Sequence, residues 1–165
     1  MTDPLDTIAG LPVHVLVVHA VVVLLPLASI GAVLVALLPR FSRRFAVLVV
    51  ITAWVAVPPA FLAKGSGEQF AERVGLPQPH AELGDVLPFF AVSLAVVLLV
   101  FWLFDRGIPG NRRRPWWLKA LAAVLIVVAG LTTWWTIRVG HSGAEATWSA
   151  IVQNTVPNPV PNPAG

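Results

Sequence analysis

The chain is organised in blocks. Four long runs carry almost no polar side chain, and nearly all the charges sit in the segments between them. A helix needs about 20 apolar residues to cross a hydrocarbon core roughly 30 Å thick. The runs at about 11–38, 45–63, 81–104 and 116–139 each meet that length, and the pattern predicts four transmembrane helices. Pro12 suits a first helical turn, where its missing N–H costs nothing. Pro26 should kink the first span and Pro39 should end it, while Pro58 and Pro59 should distort the last turns of the second. Between the runs lie a short basic loop over 40–44, a longer polar loop over 64–79 with Glu68, Glu72 and Arg73, and a basic turn over 105–115. The expected architecture is all-α, an integral membrane four-helix bundle over residues 11–148. A short segment, 1–10, precedes it, and a Pro/Asn-rich tail, 149–165, expected to be extended or disordered, follows.

Composition narrows the class. Only 12 % of the 165 residues are charged and 57 % are hydrophobic, about half the charge of an ordinary soluble domain. No room is left for a separate soluble domain. The absence of cysteine excludes disulfides, thiolate zinc sites and iron–sulfur clusters. No basic stripe interleaved with aromatics points to nucleic acid. Met1 to Gly10 carries Asp3 and Asp6 in place of a positive n-region, and the first run is too long for a signal-peptide core, so it reads as a retained span.

The placement of charge gives an orientation. Arg40, Arg43, Arg44, Arg106, Arg112, Arg113, Arg114 and Lys119 lie at the two short loops, eight of the chain's 11 basic residues. The other end holds Lys64, Arg73 and Arg138, together with every acid except Asp105. The positive-inside rule therefore places the short loops in the cytoplasm and both termini outside, in a multi-pass protein of the plasma membrane. Trp116 and Trp117 at one boundary, and Trp134, Trp135 and Trp148 at the other, fit interfacial belts.

The chemistry lies in four histidines. In an alternating bundle His14, His19, His80 and His141 all fall at the extracytoplasmic end. His19 sits roughly 7 Å deeper than His14, and the two point about 140° apart on a regular helix. They cannot chelate one ion from one face, so either each meets a different neighbouring helix or the first turn is irregular around Pro12. Ionisable residues inside spans tend to face the bundle interior and mark function. Neutral imidazoles from different helices of a bundle are the usual axial ligands of haem b. The same residues are candidate ligands of a single zinc or copper ion. Proton handling, with His19 next to Asp85 or Glu82, is a further reading. The plain alternative is that the rings hydrogen-bond to backbone carbonyls and pin the helix ends, with no cofactor. Arg138 is a candidate partner for a haem propionate or a snorkelling residue at the boundary. Gly140 and Gly143 are expected to form a turn presenting His141, and Glu82 and Asp85 to sit in the first turn of span three, where the helix dipole favours acids. The triplet Arg112 to Arg114 reads as a topology determinant that also contacts anionic lipid.

Gly10-Leu-Pro-Val-His14, His19 and Leu25-Pro26 resemble the opening signature of the bacterial family called domain of unknown function 2231. His80 with Glu82, Gly84 and Asp85 is similar to its middle motif, and Arg138-Val-Gly-His141-Ser-Gly-Ala-Glu to its ending. The likeness covers Gly10 to Trp148. Val15 and Ala20 stand where the family's common form has proline after the first histidine and often after the second. The resemblance implies a four-span bacterial membrane protein whose layout is similar to di-haem b-type cytochromes. Those carry ligands near both faces, whereas this chain has histidines near one, so a single haem is expected. The expected function is a small membrane subunit binding haem b or a metal ion in electron transfer, alongside other respiratory or membrane-complex subunits. The alternative is a structural or accessory subunit without cofactor; the sequence does not decide whether the chain is an enzyme, and an electron-transfer or accessory subunit is the expectation.

Overall fold

In the computed structural model, residues 7–8, 11–74, 78–109 and 113–155 are described. Arg112 of the arginine triplet, Pro77 in the outer loop and the residues from 156 on lie outside the described residues, while 149–155, expected as the start of the tail, are helical instead. A two-residue antiparallel pair, β1 (Thr7–Ile8) with β2 (Leu11–Pro12), leads into four helices. These are α1 (Val13–Leu37), α2 (Pro39–Val74), α3 (Gln78–Asp105) and α4 (Trp116–Thr155). All four are long and apolar enough to span a bilayer. The chain is an all-α, four-helix membrane bundle.

The helices run longer than the apolar runs that announced them. Arg40 to Arg44 form the opening turns of α2 rather than a loop, and only Leu38 separates α1 from α2. Backbone bonds from Leu38 N to Leu34 O and from Ser42 N to Leu38 O, both 2.9 Å, keep the chain helical on either side. Pro39 thus starts a helix as well as stopping one, because a first-turn residue needs no N–H. The polar segment from Lys64 is likewise helical, to Val74. Its Ala, Glu, Gln and Lys residues favour helix in water as well as in lipid. The segment Arg138 to Glu145 continues α4, so Gly140 and Gly143 sit inside a helix and make no turn. At 1.5 Å per residue the 40 residues of α4 extend roughly 60 Å. That is about twice the hydrocarbon thickness, so its outer turns stand clear of the lipid core.

Each helix packs against its neighbours in sequence, and α4 closes the ring on α1, leaving α1 and α3 on a diagonal. The contact stripes are built from small residues at helical spacing. Ala28, Ala32 and Ala36 on α1 face Ala46, Val49, Val50 and Ala53 on α2. Leu94, Ala95, Leu98 and Phe101 on α3 face Leu118, Ala122, Leu125 and Ala129 on α4. In lipid there is little hydrophobic drive between helices, so close backbone approach and dispersion carry the packing. Gly31 marks the tightest approach, since a Cβ there would lie 2.7 Å from Val49 Cγ1. Larger residues such as Val23, Leu27 and Ile30 point outward, as lipid-facing side chains should.

One polar cluster ties the short-loop end together. Arg114 grips Asp105 through two parallel bonds, Nε to Oδ1 at 2.7 Å and Nη2 to Oδ2 at 2.8 Å. It also donates to the carbonyls of Val35, at 3.1 Å, and of Ala36, at the end of α1. Ser42 of α2 donates to Asp105 Oδ2 at 2.5 Å, and the guanidinium lies over Phe101, 5.1 Å from its centroid. The two charged side chains are 10 % and 8 % exposed. Arg114 is therefore a structural clasp as well as a basic residue of the loop. Truncating one partner of a buried pair strands the other charge. Arg114→Met should cost about 3–5 kcal/mol of stability, and Arg113→Met, on an exposed neighbour, within about 0.5 kcal/mol. Reversible unfolding in mixed micelles measures both, and equal effects would deny the clasp its role.

Candidate functional site

At the end of the bundle away from the clasp, all four helices border one cavity of about 310 Å³. Its walls are mainly apolar, with Val15, Val18, Val21 and Val22 from α1, Leu87 from α3 and Val139 from α4. His14 from α1 and His80 from α3 line it from diagonal helices, close enough to interact electrostatically.

The two imidazoles are held in the same manner. His14 Nδ1 lies 3.1 Å from Ala63 O and 3.2 Å from Ser66 Oγ on α2. A carbonyl only accepts, so Nδ1 carries the proton and Nε2 the lone pair. Ser66 in turn donates to Leu62 O at 2.7 Å. His80 Nδ1 lies 2.9 Å from Ser142 Oγ on α4, whose hydroxyl donates to Val139 O at 2.9 Å. With that proton committed, Ser142 accepts from His80, which again leaves the lone pair on Nε2. Each ring also rests on a glycine. A Cβ at Gly67 would meet His14 Cε1 at 3.0 Å, and one at Gly143 would meet His80 Cε1 at 2.9 Å. A side chain at Gly143 would force the His80 ring to shift, and one at Gly67 would push the His14 ring by a few tenths of an ångström.

The other histidines are placed differently. His19 borders the cavity but is exposed, and its Nδ1 turns back to Val15 O at 2.6 Å. His141 lies outside the cavity lining, exposed, with Nε2 3.2 Å from Glu145 Oε1 on its own helix. Arg138 stacks on Trp134, 5.4 Å from the ring centroid, which matches a boundary residue better than a cavity one. The cation on the cavity wall is Lys64, 3.4 Å from Asp85 Oδ1 and 4.0 Å from Glu68 Oε1. Asp85 thus joins α3 to α2; since α3 starts at Gln78, neither Asp85 nor Glu82 occupies its first turn. Trp135 turns toward α3, stacking on Phe90 at 5.1 Å and donating from Nε1 to Leu83 O at 2.9 Å. Among the described residues no three His, Asp or Glu side chains converge as a metal-ligand set. The four histidines do not form one cluster; two of them form a pair.

Ser66 and Gly67 were not singled out by sequence reasoning, although a signal for them exists. The dipeptide Ser-Gly occurs at 66–67 and again at 142–143, in the same relation to His14 and His80. His14 follows Gly10-Leu-Pro-Val, and His80 follows Gly75-Leu-Pro-Gln-Pro. The α1–α2 and α3–α4 hairpins thus repeat one histidine-on-serine-glycine device. If so, ¹⁵N NMR at neutral pH should show both rings protonated at Nδ1. Ser142→Ala should disturb His80 alone, and Gly67→Ala should displace His14 alone. A crossed response would refute the separate anchoring.

Comparison with curated proteins and with solved structures finds no match. The family model for predicted membrane proteins of domain of unknown function 2231 matches residues 10–156. That interval contains all four helices, both anchored imidazoles and their serine and glycine partners. The chain belongs to the domain of unknown function 2231 family of predicted membrane proteins.

Proposed function

We propose that this protein is a small multi-pass subunit of a bacterial plasma membrane that holds haem b between His14 and His80 for electron transfer. The observation that carries the reading is the pair of Nδ1-anchored imidazoles facing one largely apolar cavity from diagonal helices. Imidazoles that bind metal nearly always donate their other N–H to a fixed acceptor, which sets the tautomer and raises the basicity of the ligating nitrogen. Ala63 O, Ser66 and Ser142 fill that role here. Two imidazoles suffice as the axial ligands of a haem iron, whereas a structural zinc site asks for four ligands. A set of two matches the first better, although a bare copper or zinc ion remains an outcome of the test. The cavity volume sits at the small end of the roughly 300–1,000 Å³ typical of ligand sites.

When bound, haem would supply one-electron redox chemistry; the chain would supply ligands, orientation and a mainly apolar wall. Lys64 is the cavity's cation for a propionate, the part assigned from sequence to Arg138. The charge distribution of the loops orients the short basic end to the cytoplasm, so the cavity opens at the extracytoplasmic side, within reach of an external electron carrier. Other membrane-complex subunits are the natural partners of so small a bundle. The contrasting reading, an accessory subunit without cofactor, draws on the same contacts. His14 ties α1 to α2, and His80 ties α3 to α4.

Protein purified in detergent after expression with ample haem should show a sharp reduced-minus-oxidised α-band. His14→Ala and His80→Ala should each abolish it, while His141→Ala should leave it unchanged. A colourless sample with stoichiometric copper or zinc would transfer the pair to a bare ion. A colourless, metal-free sample would favour the accessory reading.

A further inference from the structure

The opposite end of the bundle carries a second and larger cavity, about 720 Å³, between the end of α1, the start of α4 and the α3–α4 loop. Arg40, Arg43, Arg113 and Lys119 stand around its rim, all exposed. Among the described residues none of the four makes an ion pair. Asp105, an acid on its wall, is already occupied by Arg114 and Ser42. The rim is therefore strongly positive. Below it the floor turns apolar, with Ala122, Ala123 and Ile126 of α4 facing Leu37 of α1. Trp116 and Trp117, both exposed, lie at the same level and mark the headgroup region.

A soluble anion would use the rim and leave the floor untouched, and an apolar helix would bury the rim cations without partners. A phospholipid uses both parts, with phosphate among the cations and acyl chain along the floor. We propose that this groove binds the headgroup of an anionic phospholipid, with a two-phosphate headgroup preferred because four cations exceed the charge of one phosphate. Basic pockets between helices suit such headgroups, and each nearby cation strengthens the attraction. The occupied groove would rest directly on the Arg114–Asp105 clasp, so lipid binding should also stiffen that end of the bundle. This site is independent of the imidazole pair.

Native mass spectrometry of the detergent-solubilised full chain tests the proposal by titration with tetraoleoyl cardiolipin, dioleoyl phosphatidylglycerol and dioleoyl phosphatidylcholine. Cardiolipin should bind more tightly than phosphatidylglycerol, and both at least tenfold more tightly than phosphatidylcholine. Arg43→Gln with Lys119→Gln should weaken cardiolipin about tenfold or more. Arg44→Gln, whose guanidinium stacks on Phe45 away from the groove, should not. If the first double variant loses its helical circular dichroism, Arg40→Gln with Arg113→Gln takes its place, and rising salt should weaken the unmodified protein. Equal affinity for phosphatidylcholine, or an equal loss with Arg44→Gln, would overturn the proposal. Displacement of cardiolipin by millimolar inorganic phosphate would overturn it in favour of a soluble-anion site.

Discussion

A charge removed from water near a bilayer persists only if nearly every polar atom around it is satisfied, and the Arg114–Asp105 pair meets that condition. The carboxylate receives the guanidinium on both oxygens and the Ser42 hydroxyl on one, and Nη1 and Nη2 also donate to the carbonyls of Ala36 and Val35 near the end of α1. Those carbonyls belong to the end of a helix, where intrahelical donors run out and the helix dipole favours a cation. One cluster therefore closes α1, α2, α3 and the α3–α4 loop at a single point. Helices bonded at one end and packed by alanine and leucine stripes have little freedom to slide, which fixes the register of the far end.

That register is what brings His14 and His80 to the same depth. Their common treatment, with Nδ1 to a neighbouring-helix acceptor and the ring against a glycine, comes from two successive hairpins built alike. The cavity between them exists because α1 and α3 sit on the diagonal of the ring and barely touch. Neighbouring helices supply the anchors, and diagonal helices supply the rings. A pair of imidazoles held this way needs no loop to position it, because both rings lie on long helices. The two ends thus divide their work, one locked by a buried charge pair, the other holding a mainly apolar cavity bordered by two anchored imidazoles.

The ends of the helices show where the chain's local signals compete. Apolar length marks the lipid-embedded part of a helix and stops where charges begin. Helical propensity does not stop there, so α2 passes through Lys64 and Glu68, and α4 passes through Gly140 and Gly143. Glycine costs a helix about 1 kcal/mol, which neither suffices to end one nor predicts a turn. At Gly143 the helix keeps the glycine because an imidazole fills the space a side chain would take.

Sequence alone determined the number of spans, the all-α class, the family and the grouping of histidines toward one end. Each rests on length, composition or order along the chain, quantities that survive without contacts. It could not say which histidines meet. Both faces of every span are apolar, so hydropathy carries no stripe to mark the inward side. The histidines within the spans were the one inward marker used, and they do not say which neighbour each one meets. Tertiary structure decided that His14 and His80 pair while His141 bonds to its own helix, that Lys64 rather than Arg138 lines the cavity, and that Arg114 is a clasp. These are facts about helix rotation and register, which depend on partners far apart in sequence.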